Sequence, residues 1–197
     1  SVDIGPALAI PGVYAVLVAD DVPGQPDYGL DRADQPVFAS EVIRYHGEAV
    51  AAVAADHPET ARRAADAVAV DYEPLEPLVD AEAALTAEPI HPFGNLFREL
   101  VIRHGDPDAH GEVVVEGTYE VGMQDQAFMG PESGMAVPAE DGGVDLYVST
   151  QWLHSDRDQV AACLGLPPEK VRLTLAGVGG SFGAREDLSL HVHACLL

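Results

Sequence analysis

Four glycines fall within seven residues at 177–183, Gly-Val-Gly-Gly-Ser-Phe-Gly. Before them Lys170 to Ala176 alternates, with Val171, Leu173 and Leu175 on one side. After them Leu188, His191, Val192, Cys195 and Leu196 recur at helical spacing from Arg185 onward. The expectation is strand, glycine loop, helix. Glycines without Cβ let backbone N–H groups approach a ligand closely. A helix start adds unpaired donors and the positive dipole end, so the place suits an anionic or oxo-bearing ligand. A tight strand-to-helix connection with no ligand accounts for the same pattern. Two nucleotide loops are excluded on spacing. A dinucleotide loop needs glycine where Phe182 stands, and a Walker loop needs Gly-Lys where Gly183-Ala184 stands.

The rest of the chain is built of short apolar runs with turn signals between them. Residues 13–18 read as a buried strand closed by Val-Pro-Gly. Residues 25–36 read as loop, and 42–46 with 48–55 as a hairpin about Gly47. Asp56 and Glu59 have capping-box spacing before an alanine-rich helix to Ala67, and Val68 to Tyr72 alternates as a strand. Pro74, Pro77, Pro89 and Pro92 mark a linker within 73–95. Val113, Val115, Tyr119 and Val121 alternate with polar residues as a half-solvated strand. Met135 to Val137 and Val144 to Thr150 flank Glu140-Asp-Gly-Gly143 as a hairpin. Ser155 is placed to cap a helix to Leu164, with Gly165 at its C′ position.

Charge and composition narrow the partners. Ten basic and 33 acidic residues give a net charge of −23, which excludes nucleic-acid binding by phosphate neutralisation and argues against an anionic membrane surface. A hydrophobic fraction of 47% supports a sizeable core. Two cysteines, Cys163 and Cys195, cannot form a disulfide framework or a CxxC zinc site, and the chain reads as reduced and cytoplasmic. No apolar run reaches the length of a membrane span.

Individual polar residues carry competing readings. Glu186 and Asp187, just after the glycine loop, suit a helix first turn, or bind substrate as carboxylates. Gln151, ending a strand, either faces solvent or offers a neutral amide to an oxo ligand. His191 and His193 are two apart on a helix and point to different faces, which argues against a metal site with Cys195. Ser155 lacks a nucleophile elbow, so capping is preferred over a triad with His154 and Asp156.

Three stretches together carry a family resemblance: Pro11-Gly-Val-Tyr-Ala-Val-Leu-Val-Ala-Asp-Asp-Val-Pro-Gly24, Ser149-Thr150-Gln151 with Leu164-Gly-Leu-Pro-Pro-Glu-Lys-Val171, and Gly179-Gly-Ser-Phe-Gly-Ala-Arg-Glu186. The chain resembles the molybdenum-binding subunit of the xanthine dehydrogenase and aldehyde oxidase family, purine-hydroxylating branch, as an N-terminal fragment. The resemblance implies an α+β fold, with an α/β hammerhead-like domain over residues 1–90 and the first part of a molybdopterin-binding domain over 96–197. It implies hydroxylation of a purine such as hypoxanthine or xanthine, with water as oxygen source. It places a molybdenum–molybdopterin cofactor here and 2Fe–2S clusters and FAD on other domains or subunits.

By position, Gln151 would bond an oxo ligand of molybdenum, Phe182 and Gly183 would line the cofactor through backbone groups, and Glu186 would orient the substrate. Gln126 and Gly130 stand where family members commonly show His and Glu, and Arg185 where Lys is frequent. The resemblance assigns the catalytic glutamate, the substrate arginine and most pterin-binding segments to positions beyond Leu197, so the chain alone is expected to be inactive. The rival readings are a sister hydroxylase of aldehydes or other N-heterocycles, and a non-catalytic assembly module.

Overall fold

The computed structural model describes residues 1–197. The fold comprises two compact units, one of residues 1–72 with 126–197 and one of 73–125.

In the first unit, β1 (Val2–Asp3) pairs with β6 (Ala69–Val70), and β2 (Val13–Leu17) pairs antiparallel with β5 (Ala52–Ala55). A register shift between Val13 and Ala15 lets an extra residue bulge from β2. Helices α1 (Gly5–Leu8) and α2 (Pro58–Ala67) contribute Ala7 and Ala64 to a small core closed on Val16, with Ile10, Val53 and Val68 packed around it. Helix α2 starts one residue later than the Asp56–Glu59 spacing predicts, because His57 provides the cap: its ring Nδ1 accepts from the Glu59 N–H at 3.1 Å.

The expected hairpin about Gly47 is absent, because β5 takes β2 as its partner instead. Gly47, at φ +96°, lies in a tight bend in which the Arg44 N–H donates to the Glu48 carboxylate at 2.6 Å. The segment read as loop at 25–36 includes two short paired strands, β3 (Asp27–Tyr28) and β4 (Gln35–Pro36).

The larger core of this unit forms on a three-stranded sheet, β7 (Gly134–Pro138), β8 (Val144–Val148) and β9 (Val171–Leu175). Strands β7 and β8 form the predicted hairpin, with Gly142 at φ +79° in its turn. Strands β8 and β9 are parallel, so the chain must cross over between them, and α4 (Leu153–Leu164) makes that crossover. Val144, Val160, Cys163, Val171, Leu188 and Val192 pack together, and Tyr28, Val37 and Phe38 join them from the N-terminal part of the chain.

The C-terminus of α4 joins the two stretches of this unit. Gly165 ends the helix at φ +64°, in the left-handed conformation its position predicts. The carbonyls of Ala162 and Cys163 accept from the N–H groups of Gln25 and Gly24, each at 2.9 Å. Those carbonyls belong to the last turn, where only the Ala162 carbonyl has a further donor, the Gly165 N–H at 3.2 Å.

The final helix, α5 (His191–Leu196), is shorter than its apolar pattern predicts, and residues 184–190 form turns. Leu188 and Arg185 are nonetheless buried, so burial at helical spacing arises here from irregular backbone. His193 leaves this helix to bond the Val37 carbonyl at 2.7 Å and sets its ring edge-on to Phe38.

In the unit of residues 73–125, α3 (Ala81–Ala84) is capped by Asp80, whose carboxylate accepts from the Ala83 N–H at 2.7 Å. The Asn95 amide ties the following turn to the carbonyls of Ala84 and Glu88 at 2.9 and 3.2 Å. The strand expected at 113–121 does not form: Val113, Val115 and Tyr119 are largely exposed, and no strand pairs with them. Alternation supplies a face, but a ladder also needs a neighbouring strand to take its backbone groups.

Candidate functional site

The glycine loop leaves the end of β9 and turns beside the end of β8. Gly179, Gly180 and Gly183 have φ of +66°, +95° and +90°, backbone open to glycine and strained for other residues. Phe182 shares that region at φ +56° and is 76% exposed. From Gly177 to Gly183 no backbone N–H donates to a protein acceptor, so a run of donors remains available on an exposed loop. A Cβ placed on Gly183 would meet nothing within 4 Å, so the backbone is open there.

Gln151 follows β8 and meets this loop. The Ser181 hydroxyl donates to its Oε1, leaving the amide N–H groups of Nε2 without a partner. The Gln151 backbone N–H donates to the Arg185 carbonyl at 3.0 Å. The amide expected from strand-end reasoning and the glycine loop expected from composition therefore lie side by side.

A third segment, which the resemblance marked only through Gln126 and Gly130, closes the site. The Met129 N–H donates to the Gly179 carbonyl at 3.0 Å. A Cβ on Gly130 would come within 2.9 Å of the Val178 carbonyl, so the two backbones pack too closely there to admit a side chain without a shift. The side chain of Arg185 binds this segment, and Ser189 donates to Glu132 at 2.6 Å. Its composition carries no signal of this packing, which the tertiary contacts reveal.

Glu186 is half-buried, directly after Arg185. Glu186 and Asp187 are not in a helix first turn, because α5 begins only at His191. The dipole expectation for them, and for the glycine loop, is corrected accordingly: the loop's donors are its own N–H groups.

Beneath Gln151, Thr150 donates its hydroxyl to Asp156 and accepts from the Trp152 N–H at 3.1 Å. Trp152, not Ser155, therefore occupies the cap position of α4. Asp156 is fully buried on the apolar face of α4, in line with Val160 and Cys163. Burial pushes its carboxyl from 3.8 up to about 6, although the bond from Thr150 opposes this. Burial pushes His191 the other way, from 6.5 down to about 4.

These shifts set opposite pH dependences. The stability Asp156 contributes is complete below 3.8 and is lost as pH rises through about 6. That of His191 is complete above 6.5 and is lost as pH falls through about 4. Between these limits each masks the other. The variant Asp156→Asn keeps an acceptor for Thr150 and removes the first contribution. Its stability should fall more steeply than the parent's on acidification, with an extra loss of about 3 kcal/mol. Urea unfolding of the full-length protein at successive pH values reads this, and parallel curves would refute it.

The donor set fits an anionic, oxo-bearing group such as a molybdopterin cofactor: open loop N–H groups, one neutral amide with free donors, and no acidic side chain within 177–183.

Comparison with known proteins agrees in kind. Residues 90–197 match the molybdopterin cofactor-binding domain family, and the chain belongs to it. Residues 1–76 match the a/b hammerhead domain of aldehyde oxidase and xanthine dehydrogenase, which gives the mixed α and β architecture its class. The chain is 38% identical over 191 residues to a probable xanthine dehydrogenase subunit of Bacillus subtilis, covering 94% of this chain and 26% of that protein. It is 37% identical over 202 residues to the nicotinate dehydrogenase large molybdopterin subunit of Eubacterium barkeri, covering 100% and 48%. The solved structure of the aldehyde oxidoreductase from Desulfovibrio gigas superposes with a TM-score of 0.91 at 28% identity, covering 100% of this chain and 23% of that one. The chain thus spans from about a quarter to about half the length of these relatives. These relatives are named for xanthine, nicotinate and aldehyde alike, so membership extends to the family and not to the purine branch. No helix is long and apolar enough to cross a membrane.

Proposed function

We propose that this chain forms part of a molybdenum hydroxylase of planar nitrogen heterocycles, with a purine such as hypoxanthine or xanthine as substrate. The observation that carries the reading is the juxtaposition of the Gln151 amide with the open N–H groups of the glycine loop, joined through Ser181. Relatives named for xanthine and nicotinate, both nitrogen heterocycles, support it. We take residues 1–90 as the hammerhead domain and 96–197 as the first part of the cofactor domain. The cytoplasm is the proposed location, and domains or subunits carrying 2Fe–2S clusters and FAD are the proposed electron partners.

When bound, the molybdenum–molybdopterin group supplies the two-electron acceptor for hydroxylation with water as oxygen source. Gln151 would help hold that group by donating from Nε2, and would bring no charge to it. Phe182 and Gly183 present backbone N–H groups, and their fixed backbone lowers the reorganisation needed on binding. Glu186 accepts from a ring N–H of the heterocycle, or donates when protonated, as charge builds on the ring. An aldehyde offers no ring N–H to such a carboxylate.

In the full-length enzyme, Glu186→Ala should therefore lower kcat/KM on hypoxanthine or xanthine by about tenfold or more, as for a lost charge-assisted hydrogen bond, and change it little on an aldehyde. Equal losses on both substrates defeat the purine assignment. The likeness to the Desulfovibrio gigas aldehyde oxidoreductase favours the second reading, an aldehyde hydroxylase, which that outcome would support. Molybdenum absent from the full-length protein would favour an assembly module.

A further inference from the structure

We propose that Arg185 is the positioning residue of this site, acting through Gln151 by clamping the 128–132 segment and the end of β8 to the glycine loop. The inference rests on the reading that Gln151 serves the cofactor.

Arg185 is 3% exposed in a chain of strongly acidic composition, and its burial has a specific use. The guanidinium lies over the Phe128 ring at 4.3 Å from its centroid. Its Nη2 donates to the carbonyl of Gly130 and, at 3.4 Å, to that of Pro131. Its Nη1 pairs with Glu132 at 3.4 Å. Every one of these partners belongs to the segment that also bonds the glycine loop, through Met129 and Gly179. The backbone carbonyl of the same arginine holds the Gln151 N–H. One residue thus grips the third segment with its side chain and the amide-bearing residue with its main chain.

The shape of arginine matters here beyond its charge. A planar guanidinium can stack on a ring while its edge serves two carbonyls and a carboxylate. An ammonium keeps the charge but cannot occupy those positions together. Loosening the clamp frees Gln151 to drift from its place beside Ser181. Displacements of about an ångström at a positioning group are known to cost large factors in rate.

The test uses the full-length enzyme with Arg185→Lys, Gln151→Leu and the double variant. In Arg185→Lys, kcat should fall about tenfold with molybdenum content retained and KM within about threefold. Amide exchange at Gln151 and Met129 should quicken. On the Gln151→Leu background the lysine substitution should cost less than about twofold, because the residue through which it acts is already gone. An unchanged kcat, an equal cost on both backgrounds, or a loss matched by lost molybdenum would each overturn the proposal. If Arg185→Lys does not fold, Phe128→Leu removes the stacking partner and enters the same cycle under the same criteria. A parent enzyme without molybdenum would overturn the functional reading alone, since the exchange comparison needs no cofactor and still decides the clamp.

Discussion

Gly179→Ala in the full-length protein should abolish most of its molybdenum content and with it at least about 99% of the hydroxylase rate, a loss the size of a disrupted oxyanion-type donor set. A Cβ at this position would come within 2.6 Å of the Gly130 backbone nitrogen and 3.1 Å of its Cα. Those atoms are main chain and cannot swing aside as the tip of a side chain can. The φ of +66° adds a strain of about 1 kcal/mol for alanine. The loop would have to part from the 128–132 segment and break the bond from Met129 to the Gly179 carbonyl. Metal analysis together with steady-state rates reads the result. A variant that keeps its molybdenum and its rate would show that this packing is unimportant to the site. Gly183→Ala is the natural comparison, because a methyl there meets nothing within 4 Å and only the backbone angle opposes it.

Gly24→Ala should lower stability by about 3 kcal/mol from overpacking and lost hydrogen bonds. The new Cβ would lie 2.1 Å from the Ala162 carbonyl, 2.5 Å from the Gly165 nitrogen and 2.7 Å from the Cys163 carbonyl. All three are backbone atoms at the C-terminus of α4. Relief requires residues 24 and 25 to withdraw, which removes the donor to the Cys163 carbonyl and one of the two donors to the Ala162 carbonyl. Urea unfolding of the full-length protein should show a lower midpoint, with faster amide exchange at Gly24 and Gln25. A midpoint unchanged from the parent would mean that the N-terminal stretch does not dock on α4 as described. The position was legible in the sequence only as a turn, since Val-Pro-Gly says nothing of what the turn touches.

The same division runs through the whole chain. Elements whose signal is local were readable: β2 from its apolar run, the β7–β8 hairpin from its turn, and the end of α4 from Gly165. Elements that needed a distant partner were not. The hairpin expected about Gly47 does not form because β5 pairs with β2, and the alternation at 113–121 found no neighbour. The helix expected from Arg185 begins only at His191, after turns and bends that coincide with the contacts of the Arg185 side chain to Phe128 and Gly130.

At the site, Gln151, Phe182, Gly183 and Glu186 could be singled out by residue type and by resemblance, whereas Arg185 drew notice only as a substitution for lysine. Its burial and its partners come from segments more than 50 residues apart in the chain.

By itself the amino-acid order determined where the backbone could bend, which faces were apolar, and that a flexible, donor-rich loop would follow β9. Periodicity and glycine act within a few residues, so these properties are present in any short window of the chain. Only the tertiary structure decided that the loop would stand beside the amide of Gln151, that the 128–132 segment would seal it, and that Asp156 would be buried under both. Those are contacts between residues far apart in sequence, settled by which packing buries the most apolar surface while leaving the fewest polar groups unpaired.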